Sequence, residues 1–315
     1  MTSSFRPLAG QSQALLYPGA GLAYAHIAQP KPCITILVHG VNDEGGKYAN
    51  IEQGLCTGLN ERLDHLANER GQINTAALVP AQYSLPTKDD HLAQDPDKVY
   101  CRRLANTGHG GSDSRSVVIP FYWGSREDSG FDPKTGKDYV QKDTPHGEWL
   151  DRYGNRLDKT ASKEGGMFAN ATTTLPDMWI QGFSGMVFGF IPMNPLGGTP
   201  RHPLFPAPPR NYMVLSAKRL ALLVKIIRAK HPDDTVNVVA HSQGTMLALL
   251  ANAFLKDDGQ RPIDSAVLMN SPYSLIEPRV ERMELIDQQQ TQAARWETLG
   301  NIVRAIGSQP HRNAQ

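Results

Sequence analysis

The stretch TVNVVAHSQGTMLALL, Thr235 to Leu250, limits the possible folds more than any other part of this chain. A β-branched apolar run passes through Ala-His-Ser-Gln-Gly straight into an apolar run that favours helix. A corner that sharp needs small residues two before and two after its apex, because larger ones collide with the turn. Ala240 and Gly244 meet that need, with Ala240 standing where glycine is usual. The apex is then Ser242, its hydroxyl held clear at the start of a helix. A helix N-terminus aims unsatisfied N–H groups and the positive end of the dipole at developing negative charge. The plainer alternative is an ordinary strand–turn–helix with a small-residue corner. The apolar sequence on both sides favours the nucleophile elbow, with Ser242 as nucleophile.

The surrounding chain alternates strand and helix signals. CITILVHG (33–40), SVVIPFYWG (116–124), TVNVVA (235–240) and PIDSAVLMN (262–270) read as buried strands. Residues 47–66 place Ile51, Leu55, Leu59, Leu63 and Leu66 at helical spacing. Helices are also predicted in YMVLSAKRLALLVKIIRAKHP, around Leu215, Leu222, Val224 and Ile226 and stopped by Pro232, over 244–256 and over 281–306. The tail after 306 reads as disordered. This alternation predicts an α/β protein with a mostly parallel sheet and helices on both faces. Taken with the elbow at Ser242, the chain reads as one α/β-hydrolase core over 1–315 that lacks its last strands after Met269.

Residues 67–115 are polar and turn-rich, and 125–210 read as an insertion within the core. The first half of the insertion is charged and Gly-rich. The second, with Trp179, Phe183, Phe188 and Phe190, is dense in aromatics, Met, Gly and Pro. It can be a loop packed on the core, or a lid or acyl-chain groove above Ser242, since lipids need exposed apolar surface.

Composition narrows the function. A net charge of +1 gives no electrostatic case for nucleic acid. Cys33, Cys56 and Cys101 are an odd number without metal spacing and read as free thiols of a protein made in a reducing compartment; no metal or other cofactor is expected. The N-terminus lacks the basic and apolar regions of a secretory signal, so the protein is expected to be made in the cytoplasm. No run reaches the ~18 apolar residues of a membrane span.

ILVHGVND (36–43) is the second chemical signal. In a hydrolase of this kind the oxyanion hole takes one N–H from the residue after the nucleophile and one from the loop after an early strand. Here those donors are the backbone N–H groups of Gln243 and Val41, with His39 and Gly40 shaping the loop. Each such donor is worth roughly 3–4 kcal/mol in a transition state. The His39 side chain itself reads as structural.

The catalytic base is harder to place. The fold's chain order is Ser, then Asp or Glu, then His. Nine of the ten histidines precede Ser242. His241, beside the serine, is expected to point away, and His311 lies in the polar tail. Asp264, Glu277 and Asp287 follow Ser242, but none takes the usual place of the acid after a strand. Acid and base stay unassigned, and the module is expected to continue past residue 315 in intact relatives.

Four blocks together, CITILVHGVNDEGGKYANIEQGLCTGLNERL, VIPFYWGSRED, VNVVAHSQGTMLALLAN and LMNSPYSLIEPRVE, resemble the hydrolase part of type VI secretion lipase effectors. The closest class is the third subfamily, where a long C-terminal domain follows. The resemblance implies an antibacterial phospholipase delivered to a rival's periplasm. It also implies a cognate immunity protein and loading on a spike protein of the secretion machine, directly or through an adaptor. It maps the nucleophile to Ser242 and the oxyanion loop to His39, Gly40 and Val41. The competing readings are a catalytically incomplete hydrolase-fold module that binds an adaptor or immunity protein, and an acyltransferase or thioesterase.

Overall fold

A computed structural model describes residues 11–15, 23–27, 33–42, 48–69, 77–83, 102–103, 114–127, 130–131, 133, 136, 138–143, 148–158, 161–278 and 290–308. The chain divides into two units, Met1–Ile34 with Gly46–Val118, and Thr35–Gly45 with Ile119–Gln315.

In the first unit, Gln11–Leu15 pairs antiparallel with Ala23–Ile27, a hairpin that the sequence pattern does not announce. The helix Tyr48–Asn68 forms where the apolar spacing predicts it, but it turns a different face inward. Tyr48, Glu52, Cys56 and Ala67 are buried, while Ile51 is exposed and Leu55, Leu59 and Leu63 are half-buried. Leu66 lies where no side-chain placement is described. Polar groups set this face. The Glu52 carboxylate accepts from Ala81 N–H (3.0 Å) and from the Tyr83 hydroxyl (2.7 Å). Asn60 both donates to Leu78 O (2.9 Å) and accepts from Leu78 N–H (2.7 Å). Two side chains thus satisfy the backbone of 78–83, and hydrophobicity alone does not reveal that need.

The central sheet runs in the order Ser265–Met269, Val236–His241, Ile34–Val38, Val118–Phe121. It is mostly parallel, and with its helices it makes an α/β fold. Val238 faces Ala266 and Ala240 faces Leu268 in the parallel ladder between the first two strands. Val236, Val238 and Ala240 are buried and alternate with half-buried neighbours, the period-2 pattern of a covered strand. The helix Gln243–Asp257 is buried almost all round its first half. The preceding helix Asn211–Lys230 packs against it through a face that includes Met213, Ala217, Leu220 and Val224. Leu215, Leu222 and Ile226 on the same helix are exposed. This helix is apolar on more than one side, and packing covers only part of it. Helix Gln292–Gly307 lies against Gln243–Asp257 and the strand Ser265–Met269. Its predicted start at 281 falls outside the described residues, as does 309–315.

Residues 125–210 contain small antiparallel pieces. Gly124–Arg126 pairs with Ser162–Glu164, and Val140–Asp143, Glu148–Asp151 and Arg156–Leu157 form a three-stranded sheet. Phe183 is buried with Leu157, Met167 and Ala207 in a cluster of their own. Met186–Val187 and Ile191–Pro192 form a hairpin closed by Phe190 N–H on Val187 O (3.3 Å). Its central residues Phe188 and Gly189 have φ of 52° and 78°, as a type I′ turn requires. Glycine and asparagine usually hold such positions, so a phenylalanine there is an outlier. Phe188 and Phe190 are 49% and 73% exposed at this tip. Trp179, also exposed, packs edge-on to Phe254 near the far end of the elbow helix. Phe254 lies about 18 Å along the helix from Ser242. Of the four aromatics expected at the mouth, Phe183 is therefore buried in the cluster with Leu157, Met167 and Ala207, Trp179 sits elsewhere, and Phe188 and Phe190 form the hairpin tip.

Candidate active site

Ser242 stands between the strand Val236–His241 and the helix Gln243–Asp257 with φ 51° and ψ −127°. This region costs a non-glycine residue on the order of 1–3 kcal/mol, so its surroundings must enforce it. Ser242 N–H donates to Met269 O (2.9 Å), which ties the corner to the neighbouring strand. Its carbonyl accepts from Thr245 N–H (3.0 Å) and from the Thr245 hydroxyl (2.7 Å). Because that carbonyl can only accept, the Thr245 proton goes to it. Ser271, whose Oγ lies 2.7 Å from Thr245 Oγ1, must then donate in its turn. Thr245 is fully buried, and Ser242 and Ser271 on either side of it are half-buried.

The His-Gly loop lies directly against the serine. A Cβ on Gly40 would come within 3.0 Å of Ser242 Cβ and 3.2 Å of His241 Nδ1. A Cβ on Gly244 would press to 2.3 Å from His39 O. Glycine at 40 and 244 is therefore what allows the first strand's loop and the elbow to touch. His241 is exposed, and its ring nitrogen lies beside Gly40. The His39 ring is buried and stacks on Trp123 (5.6 Å between centroids, 16°), with Nδ1 2.9 Å from Gly40 O. Trp123 Nε1–H donates to His39 O (2.9 Å), so ring and backbone are both held. Asn42, with φ 54°, donates its N–H to Gly166 O (3.2 Å) and its side chain to Arg201 O (2.7 Å). Val41 is half-buried between these fixed neighbours.

Gln243 begins its helix, so its backbone N–H has no acceptor one turn back. Its side chain is fully buried and engaged with Thr172. Oε1 accepts from Thr172 N–H (3.0 Å) and Nε2 donates to Thr172 Oγ1 (2.8 Å). The arrangement thus joins a strained serine, a helix start and a glycine loop in one place. Chemically it offers a hydroxyl beside backbone groups that can receive a developing oxyanion. Sequence reasoning does not reach Thr172, Thr245 or Ser271. A Gly-Gly pair at 165–166 is visible as a turn signal, but what it packs on is not.

Among the described residues no imidazole hydrogen-bonds the Ser242 hydroxyl. Asp264 sits at the opposite end of the sheet. It accepts from Val236 N–H (2.8 Å) at the entrance of the elbow strand, whereas Ser242 follows the exit, about 20 Å further on. Its carboxylate pairs with Arg228 (2.7 Å) and Arg261. Burial works to raise this carboxyl, but the Val236 N–H and the two guanidiniums outweigh it and hold it below the usual carboxylate range. Glu277 is half-buried, and Asp287 and His311 lie outside the described residues.

Residues 31–315 match the family described as the T6SS Tle3 phospholipase effector domain. The chain belongs to the Tle3 effector family. It is 54% identical over 301 residues to the antibacterial effector protein Tle3 of Pseudomonas aeruginosa, which covers 95% of this chain and 41% of that protein. The chain thus spans less than half the length of this Tle3 relative. Among the described residues no helix is long and apolar enough to cross a membrane.

Proposed function

We propose that this chain carries the nucleophile of a phospholipase, with Ser242 attacking the acyl carbonyl of a membrane phospholipid. The strained corner at Ser242, with Gly40 against its Cβ, carries this reading. A base takes the Ser242 hydroxyl proton as the serine oxygen bonds to the carbonyl carbon, and the negative charge passes to the carbonyl oxygen, held by Val41 and Gln243 N–H. The ester C–O bond then breaks, the alcohol leaves with that proton, and water releases the fatty acid from the serine. The acid and the base belong to residues that remain unassigned. The name of the matching family supports a phospholipid substrate.

The insertion 125–210 supports the same substrate. Between Asp177 and Asp233 the sequence has no carboxylate side chain, and the turn holding Arg201 is tied to Asn42 of the His-Gly loop. The exposed pair Phe188 and Phe190 therefore belongs to a segment without acidic groups, suited to an anionic lipid surface. In this reading the tip is the lid-like, lipid-facing part of the insertion. The likeness to an antibacterial effector supports type VI delivery, action in the target cell's periplasm, a cognate immunity protein, and a spike protein or adaptor as carrier.

A second reading is a binding module for the immunity protein or adaptor. It is favoured by the lack, among the described residues, of an imidazole bonded to Ser242. Fatty-acid release from phosphatidylethanolamine–phosphatidylglycerol vesicles separates the two. Release lost in Ser242→Ala supports the hydrolase. Release no greater than that of the alanine variant sinks it for this chain and leaves the binding module.

A further inference from the structure

We infer that residues 165–174 form a strap that fixes both oxyanion donors relative to each other, with Thr172 as its positioning residue. The inference rests on the reading of Val41 and Gln243 as donors and names the device that aligns them. Those two donors lie on separate loops at the exits of two neighbouring strands, which touch through Gly40 and Gly244, and the strap bonds to both loops. The strap touches the segment after every strand of the central sheet. Gly165 N–H donates to Trp123 O (2.8 Å), just after Val118–Phe121. Gly166 O accepts from Asn42 N–H (3.2 Å), after Ile34–Val38. Thr172 holds Gln243, after Val236–His241. Thr173 O accepts from Ser274 N–H (2.9 Å), after Ser265–Met269.

Two details show that the contacts are built for this role. Gly165, at φ 68°, lies so close to the oxyanion loop that a Cβ there would come within 2.1 Å of Gly40 O and 2.8 Å of Val41 Cα. Only glycine permits that conformation and that approach together. The Gln243 side chain is the second detail. An oxyanion donor at this position needs only its backbone N–H. Yet the side chain is fully buried and both its polar atoms bond to one residue of the strap, with Nε2 also donating to Met213 Sδ (3.6 Å). The Thr172 N–H can only donate, which fixes the amide orientation and leaves Nε2 to the Thr172 hydroxyl. The strap is held in turn by Arg210, whose Nε–H donates to Asn170 O (3.1 Å), and by Arg295, whose Nη1 donates to Thr173 Oγ1 (3.2 Å).

The test compares the 315-residue chain with Thr172→Val, which removes the hydroxyl at constant shape, and with Thr172→Ser, which keeps it. Thr172→Ala serves if the valine variant fails to fold. Amide hydrogen exchange is followed over the two peptides holding residues 39–42 and 241–246. The strap predicts faster exchange in both peptides for Thr172→Val, although Thr172 touches only the elbow, with the serine variant near wild type. Fluorophosphonate addition to Ser242 is timed on the same samples by intact mass. It is expected to slow roughly tenfold in Thr172→Val and to recover in Thr172→Ser, as misaligned donors require. Exchange that rises only in the elbow peptide, or in neither, overturns the strap. If wild-type Ser242 takes no label, the nucleophile reading fails, and the exchange pattern alone still decides the strap.

Discussion

Asp264 shows how one residue can matter to the fold and not to the site. It closes the entrance of the elbow strand by binding Val236 N–H, Arg228 and Arg261 together. Asp264→Asn leaves two guanidiniums without their shared anion and should cost about 3 kcal/mol, read as a drop in denaturant midpoint. The pH dependence follows from the direction of its shift. The folded carboxyl titrates below its ordinary range, so its contribution is fully present above the unfolded value. It is lost as pH falls through the folded one. The wild type should therefore lose stability on acidification more steeply than Asp264→Asn, and parallel acid curves would reject this role. At the same scale Ser242 was legible in the sequence, because small residues at 240 and 244 announce a corner. Thr172 was not legible, because its bonds to Gln243 join positions 71 residues apart through a loop with no periodicity.

At the scale of elements, apolar periodicity located the central strands and the long helices to within a few residues, since burying those runs drives the fold. It chose the wrong face of Tyr48–Asn68, where a buried carboxylate and an amide satisfy a neighbouring backbone. On Asn211–Lys230, where Leu215, Leu222 and Ile226 are exposed, it located the helix but not its buried side, because a helix apolar on several sides does not say which side is covered. The insertion's elements are two to four residues long, too short for any period to register. Its aromatic hairpin supplies an element-scale prediction. Leaving Phe188 exposed forgoes roughly 1.5–3 kcal/mol of burial, so Phe188→Asp should leave the melting temperature nearly unchanged. The same variant should weaken co-sedimentation with anionic vesicles by about tenfold, the loss of one well-buried aromatic. A large fall in melting temperature with unchanged sedimentation would make the hairpin ordinary core.

At the scale of the whole molecule, Ser265–Met269 is an edge strand of the sheet among the described residues, with Val267 and Met269 exposed. An apolar edge of this kind is a template for association. The double variant Val267→Lys, Met269→Lys should raise the monomer fraction in sedimentation velocity. A wild type already monomeric at high concentration would show that the edge is harmless. The proposed phospholipase reading and the site geometry then meet at one residue, Ser242. Intact-mass fluorophosphonate labelling of the wild type and of Ser242→Ala tests that meeting point most directly. Among the described residues no imidazole bonds to Ser242, and a serine without such a base reacts slowly, so the wild type should gain one adduct per chain, on Ser242, over hours rather than minutes. The alanine variant should gain none. No adduct on the wild type, or one that persists in Ser242→Ala, would contradict Ser242 as the nucleophile.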